Sequence, residues 1–273
     1  MSALKKLQSI SEKNKSMLCL GLDIDPRRVP KSCDESPKGL FRFAARIIEA
    51  TSDIVAAYKP NMAFYEALGP DGLSLLKMIC RRIPSETVII LDGKRGDIGN
   101  TAEFYARAIF DVYGADWTTV NPYMGYDSIR PFLEYKDKGT FVLCLTSNPG
   151  ALDFQRQEIK YKPLYLHVAH KVASWNKEGN LGLVVGATYP EQLVNIRQVA
   201  ENMPILIPGV GAQGGDLEKA VIAGTDSFKK PAIINVSRSV LYASREDDFD
   251  QAARSVIEKL NSEINGLRET RAN

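Results

Sequence analysis

Short apolar runs recur along this chain, each followed by a segment of different periodicity. That alternation constrains the fold more than any other feature. The runs stand near residues 17–22 (MLCLGL), 54–58 (IVAAY), 87–91 (TVIIL), 116–120 (DWTTV), 140–145 (TFVLCL), 181–185 (LGLVV), 204–207 (PILI) and 232–236 (AIINV). They are apolar on both faces, as parallel strands covered on both sides must be. Between them FRFAARIIEA (41–50), GLSLLKMICRRI (72–83), TAEFYARAIFDV (101–112), YLHVAHKVASW (165–175), EQLVNIRQVAE (191–201) and FDQAARSVIEKL (249–260) are amphipathic at helical spacing. A strand followed by a helix, eight times over, predicts an α/β chain folded as a (β/α)8 TIM barrel. The rival is a doubly wound open sheet, which normally has fewer strands and a glycine fingerprint after the first. Here GLDIDP (21–26) follows the first run, and no GxGxxG does.

The length of 273 residues suits one such barrel, and no linker or shift in composition divides it, so 1–273 reads as a single barrel domain. At 44% hydrophobic and 25% charged, the chain can bury a sizeable core. A formal charge of +2 gives no reason to expect a nucleic-acid or membrane surface. The start, MSALKKLQSISEKNKS, is polar and Lys-rich, without the apolar centre of a signal peptide. No run approaches the ~18 apolar residues of a membrane span. Cys19, Cys33, Cys80 and Cys144 have no paired spacing. Cys19 and Cys144 sit inside apolar runs and read as small buried hydrophobes in a reducing cytoplasm. The longest insertion, 150–163, is polar and follows the fifth run, where barrel loops cover a site.

In a barrel of this kind, chemistry gathers at the carboxyl ends of the strands. Following the runs in order come Asp23 with Asp25, then Lys59, then Asp92, Lys94 and Asp97, then Thr146 and Ser147. Gln213 within PGVGAQGGD and the triplet Ser237-Arg238-Ser239 follow the last two runs. Their convergence on one rim is the strongest physical signal in the chain. Each group also has a plainer reading. Lys59, before Pro60, fits a solvated loop. Asp92 and Lys94 share a face in extended backbone and fit a surface ion pair. The apolar residues just before them draw that pair out of water, where a charge is matched or its pKa moves. Asp97 and Thr101 are four apart at the start of a helix, where capping alone accounts for a carboxylate. PGVGAQGGD brings backbone N–H groups toward an anion, and Arg238 is placed to grip phosphate with paired hydrogen bonds. His167 and His170 have no acidic or Cys partners nearby and read as surface or packing residues, as Trp117 and Trp175 read as packing.

Taken together, GLDIDP (21–26), YKPNMAFYEALG (58–69), LDGKRGDIGNTA (91–102), TVNPYMG (119–125), LCLTSNPGA (143–151), LIPGVGAQGGD (206–216) and INVSRSVLYA (234–243) resemble the orotidine 5′-phosphate decarboxylase family. The similarity is closer to its longer bacterial subfamily and covers nearly the whole chain. The D-x-K-x-x-D element, Asp92, Lys94 and Asp97, is shared with related phospho-sugar barrels; the Thr-Ser-Asn-Pro-Gly and Gly-Ala-Gln-Gly-Gly elements narrow the resemblance. The resemblance implies a small-molecule nucleotide substrate and a homodimer with sites at the subunit interface. It implies that Lys59, Asp92 and Lys94 form an alternating charge network, with Asp97 and Thr101 entering from the neighbouring subunit. Asp23 would meet the ribose, Ser147 with Thr146 the pyrimidine, and Gln213 with Arg238 the phosphate.

The reaction so implied is loss of CO2 from C6 of orotidine 5′-monophosphate. It leaves a carbanion with no adjacent electron sink, a problem most decarboxylases solve with a cofactor. None is expected here. Lys94, kept cationic by Asp92 and Asp97, would stabilise the anion and deliver the proton. Three other readings compete. A metal-assisted 3-keto-sugar-phosphate decarboxylase or hexulose-phosphate synthase needs further acidic ligands for Mg²⁺. A Schiff-base aldolase needs a neutral Lys94, which flanking carboxylates oppose. A non-catalytic nucleotide-phosphate binder needs the phosphate loop and Arg238 but not the lysine–aspartate array.

Overall fold

The computed structural model describes residues 1–210, 216–225 and 231–272. Its centre is a closed, all-parallel barrel of eight strands: β1 (Leu18–Gly21), β2 (Ala57–Lys59), β3 (Val88–Arg95), β4 (Trp117–Val120), β5 (Gly139–Leu145), β8 (Leu181–Val185), β9 (Ile205–Pro208) and β10 (Ala232–Val236). The barrel closes where β1 pairs with β10, Cys19 standing opposite Asn235. Two short strands, β6 (Glu158–Ile159) and β7 (Lys162–Pro163), form a hairpin within the insertion after β5. Its two-residue turn, Lys160-Tyr161, has positive φ at both positions, the backbone of a type I′ turn.

Every expected strand is present, with two shifts. The second run is paired as strand only from Ala57 to Lys59, later than its apolar stretch. The third continues past Leu91 to Arg95, so its polar residues are themselves strand, with a register shift against β4 between Leu91 and Arg95.

The outer ring is built by amphipathic helices. In α2 (Pro37–Thr51), Ser36 Oγ accepts from the Gly39 N–H and Pro37 stands in the first turn. Leu40, Phe43, Ala44, Ile47 and Ile48 recur at three and four residues and are buried. The ring continues with α4 (Gly69–Arg82), α5 (Gly99–Arg107), α6 (Tyr126–Leu133), α7 (Leu164–Trp175), α8 (Pro190–Val199), α9 (Leu217–Gly224) and α11 (Phe249–Ala272). Residues 108–112, expected as the end of an α-helix, form a wider π turn, closed by Tyr113 N–H donating to Ala108 O. The short α3 (Met62–Glu66) and α10 (Arg238–Leu241) sit at the rim.

The polar start of the chain is also a helix, α1 (Ala3–Lys13), which the sequence pattern did not reveal. Its Ala3, Leu7 and Ile10 make one buried stripe, in a cluster with Ala57, Val88, Ile90, Trp117, Phe141, Val184, Leu206 and Ile233 from inside the barrel. The helix therefore plugs the end opposite the strands' carboxyl termini. Lys6 Nζ reaches Asp116 Oδ2 at 2.7 Å, and the same oxygen accepts from the Ile89 N–H at 2.9 Å. Above the plug, Trp117 and Phe141 stack with ring centroids 4.5 Å apart, and a Cβ on Gly139 would overlap the indole.

Leu7→Ala is expected to lower the unfolding free energy by about 2–5 kcal/mol, the cost of a core cavity. Equilibrium urea denaturation checks it: a change of about 0.5 kcal/mol or less, typical of surface substitutions, would place α1 outside the core.

Candidate active site

The carboxyl ends of β2, β3 and β4 build the floor of the site. Lys59 is the last residue of β2 and Asp92 lies near the end of β3; they are 4% and 6% exposed. Neither charge is tolerable alone at that depth. Asp92 Oδ2 accepts from the Lys59 ammonium at 2.9 Å, and Oδ1 accepts from the Lys94 ammonium at 2.8 Å. Two further groups complete the carboxylate shell: Thr119 Oγ1 donates to Oδ1 at 2.7 Å and Asn61 Nδ2 donates to Oδ2 at 3.3 Å. Lys94 has φ 45°, a left-handed backbone rare for a side chain of its size, and its side chain is 44% exposed toward the cavity.

The electrostatics follow from this packing. Burial alone would raise the Asp92 carboxyl, but the Lys59 and Lys94 charges outweigh it and hold the group well below the usual carboxylate range. Burial would likewise depress Lys59, yet Asp92 and then Asp23 hold its ammonium above the ordinary lysine value. Cys19, under the same floor, has its thiol pushed up to about 12, chiefly by burial, and stays neutral.

Above the floor opens a cavity of about 330 Å³. One side is polar, with Asp23, Asn235, Ser237 and Arg238; another is apolar, with Leu143, Leu145, Val184, Pro208 and Val210. Asp23 is oriented by Ser237, whose hydroxyl donates to Oδ2 at 2.9 Å, while Oδ1 is buried without a hydrogen-bond partner. Asn235 Oδ1 and Ser147 Oγ are also buried and unpaired. Such atoms, lining a cavity, are acceptors and donors held for a ligand. Ser147 packs where a Cβ on residue 186 would overlap its hydroxyl, so Gly186 is required there. Thr146 is gripped by the insertion: its N–H donates to Gln155 Oε1 at 2.7 Å, and Gln155 Nε2 donates to its hydroxyl at 2.8 Å. Arg238 lines the mouth as the first residue of α10.

Thus Lys59, Asp92, Lys94, Asp23, Thr146, Ser147 and Arg238 come together as the sequence pattern implied. Gln213 lies outside the described residues. Asp97 and Thr101 do not line this chain's cavity. Nor does Asp97 cap the following helix: the N-cap is Ile98, without a side-chain cap bond, and Asp97 Oδ1 accepts from the Ile98 N–H at 2.8 Å. The reason is that the backbone at Ile98 is extended and the helix opens only at Gly99, φ 54°, two residues past Asp97. Sequence reasoning assigned no role to Thr119, Asn61, Asn235 or Gly186. Thr119 and Asn61 stood inside recognised motifs, but only the pairing of β3 with its neighbours turns them onto Asp92. Among the described residues, no cluster of three or more His, Cys, Asp and Glu is arranged to hold a metal ion.

A closed barrel with an ion array and a cavity at the carboxyl rim of its strands defines a TIM-barrel enzyme. Residues 16–255 match the family described as Orotidine 5′-phosphate decarboxylase / HUMPS, and the chain belongs to that family. It is similar to the orotidine 5′-phosphate decarboxylase of Herpetosiphon aurantiacus, with 51% identity over 257 residues, 93% of this chain and 95% of that protein. The solved OMP decarboxylase of Leishmania donovani superposes with TM-score 0.85 at 38% identity, covering 98% of this chain and 99% of that one. The UMP synthase of the same organism gives TM-score 0.88 at 39% identity; 98% of this chain matches, spanning 57% of that longer one.

The two shifts act on stability in opposite pH ranges. Asp92, depressed in the fold, contributes stability above its unfolded value of about 4 and loses it as pH falls through the native value. Lys59, raised in the fold, contributes below its unfolded value of about 10.4 and loses it as pH rises through the native value. Asp92→Asn is expected to remove this acid-side loss and to cost about 3–5 kcal/mol at neutral pH, because it leaves Lys59 buried without its counter-charge. Urea denaturation of both proteins from neutral into acid pH measures the two effects. An unchanged acid arm in the variant would contradict the assignment.

Proposed function

We propose that this chain decarboxylates orotidine 5′-monophosphate to uridine 5′-monophosphate and CO2, the last step of de novo UMP synthesis, by fixed charges and without a cofactor. The observation that carries this reading is Asp92 held between Lys59 and Lys94 on the floor of a nucleotide-sized cavity. In the reaction the C6–carboxyl bond breaks and its electron pair stays on C6. The Lys94 ammonium meets that charge, passes a proton from Nζ to C6, and is reprotonated from solvent. Asp92 stays ionised throughout and keeps both lysines in place, so little reorganisation accompanies charge development. Lys59, buried and held above its ordinary value, stays cationic and serves as the second anchor.

The remaining assignments follow the chemistry of the cavity. The free Asp23 Oδ1 suits a ribose hydroxyl, and the unpaired Ser147 Oγ, beside Thr146, suits a pyrimidine edge. Arg238 at the mouth, with Gln213, suits the phosphate. Grip on that remote group supplies binding energy for the reacting end. Against the metal-assisted alternative, the fixed array fills the floor with two ammonium groups, which disfavour a bound cation.

We propose further that the whole chain works as one barrel domain and as a homodimer with shared sites. Asp97 and Thr101 lie outside their own cavity, and beside them Ile98 and Phe104 are 58% and 62% exposed, with Tyr123 and Met124 also open. A second copy laid on that surface would cover them and bring the partner subunit's Asp97 to Lys94. No helix among the described residues is long and apolar enough to cross a membrane, and the four cysteines are free and buried, which supports a cytoplasmic setting.

Lys94→Ala is expected to lower turnover, followed by loss of orotidylate absorbance, by at least about 10²–10⁴-fold while UMP still binds. Near-normal turnover would overturn the mechanism. EDTA is expected to leave the wild-type rate unchanged; inhibition by EDTA that Mg²⁺ reverses would favour the metal-assisted reading. Mixing a Lys94-deficient chain with an Asp97-deficient chain is expected to restore activity through one intact shared site, and failure to do so would overturn the shared-site dimer.

A further inference from the structure

Thr119 makes three hydrogen bonds within and beside the ion array. It lies in β4 with its side chain 1% exposed. Its hydroxyl donates to Asp92 Oδ1 at 2.7 Å and accepts from the Lys94 N–H at 2.9 Å and the Gly93 N–H at 3.2 Å. The polarity of this network is forced. A carboxylate only accepts and an amide N–H only donates, so the single hydroxyl proton goes to Asp92 and both lone-pair directions face β3.

The two N–H groups belong to the stretch where β3 and β4 slip register, between Leu91 and Arg95. In a regular ladder they would meet backbone carbonyls; here a side-chain oxygen receives them. The same stretch holds Lys94 at φ 45°, a strained conformation that persists only where its surroundings enforce it. That conformation turns Lys94 back so that its Nζ reaches Asp92, two residues earlier, at 2.8 Å.

We propose that Thr119 is a positioning residue for the decarboxylation: its hydroxyl fixes both the left-handed turn at Lys94 and the direction of the Asp92 carboxylate, so that the Lys94 ammonium stands at the reacting carbon. The proposal rests on the decarboxylase function proposed above. Thr119 touches the catalytic groups and does not line the cavity, so its loss is expected to disturb the chemical step more than binding.

Four variants test this against a purely structural role. Thr119→Val removes the hydroxyl and keeps the shape. Thr119→Ser and Thr119→Ala differ only in the hydroxyl. Thr118→Val removes the neighbouring buried hydroxyl, which donates to Leu91 O at 2.9 Å and does not reach the array. Thr119→Val is expected to lower kcat about 10²-fold, the cost of misplacing a catalytic group by about an ångström, with KM for orotidylate changed by less than about threefold. Thr119→Ser is expected to stay within about threefold of wild type and Thr119→Ala to fall with the Val variant. Thr118→Val is expected to lose stability while keeping kcat. Equal kcat in the Ser and Ala variants overturns the proposal, even if the Val variant does not fold. So does a kcat loss in Thr118→Val as large as that in Thr119→Val, or an effect confined to KM. A wild-type chain that does not decarboxylate orotidylate overturns the functional reading itself, whereas an active wild type with an equally active Thr119→Val overturns only the role of Thr119.

Discussion

One carboxylate buried between two ammonium groups governs the architecture of this chain's working end. Taking Asp92 and Lys59 out of water is costly, and each is tolerable only because the other is there. That mutual requirement explains several local features together. The third strand is carried past its apolar stretch, because Asp92, level with Asn61 just beyond β2, must reach the ammonium of Lys59 on the neighbouring strand. The register slips beyond Leu91, because Lys94 must turn back onto the same carboxylate. Thr119 is buried with its hydroxyl inward, because the slip exposes N–H groups that need an acceptor. The barrel supplies what a loop does not: adjacent parallel strand ends whose spacing is set by backbone hydrogen bonds.

The cavity above has a different logic. Its floor is fully hydrogen-bonded, whereas its walls hold unpaired atoms on Asp23, Asn235 and Ser147 beside aliphatic side chains. Unpaired buried acceptors are costly, and a ligand bearing hydroxyl and amide donors relieves that cost on binding. A nucleotide offers such a surface, polar along the ribose and flat along the base. Small residues make room for it: Gly186 leaves space for Ser147, and Gly21 admits Ser237 close to β1.

Much of this was legible before any coordinates. Parallel strands buried on both faces show as uninterrupted apolar runs, and each of them is a strand of the barrel. The pair Asp92 and Lys94 was visible because charge placed directly after such a run is drawn out of water and has to be matched. The first helix escaped notice because Lys and Ser dominate its composition, while Ala3, Leu7 and Ile10 form a stripe too narrow to stand out. Thr119 escaped for a deeper reason. A threonine within an apolar run reads as an ordinary strand former, and the direction of its hydroxyl depends on a register between two strands that one segment does not encode. Asp97 was equally consistent with a helix cap, and the extended backbone at Ile98 and the turn at Gly99 decide against it.

The plug at the barrel's lower mouth has a consequence for the order of assembly. The helix formed by residues 3–13 leaves the ribosome before every strand of the barrel, yet its buried neighbours include Leu206 and Ile233, from the last two of those strands. Its seat is therefore complete only when the last barrel strand has been synthesised and the ring has closed. Until then the stripe of Leu7 and Ile10 has no finished surface to cover.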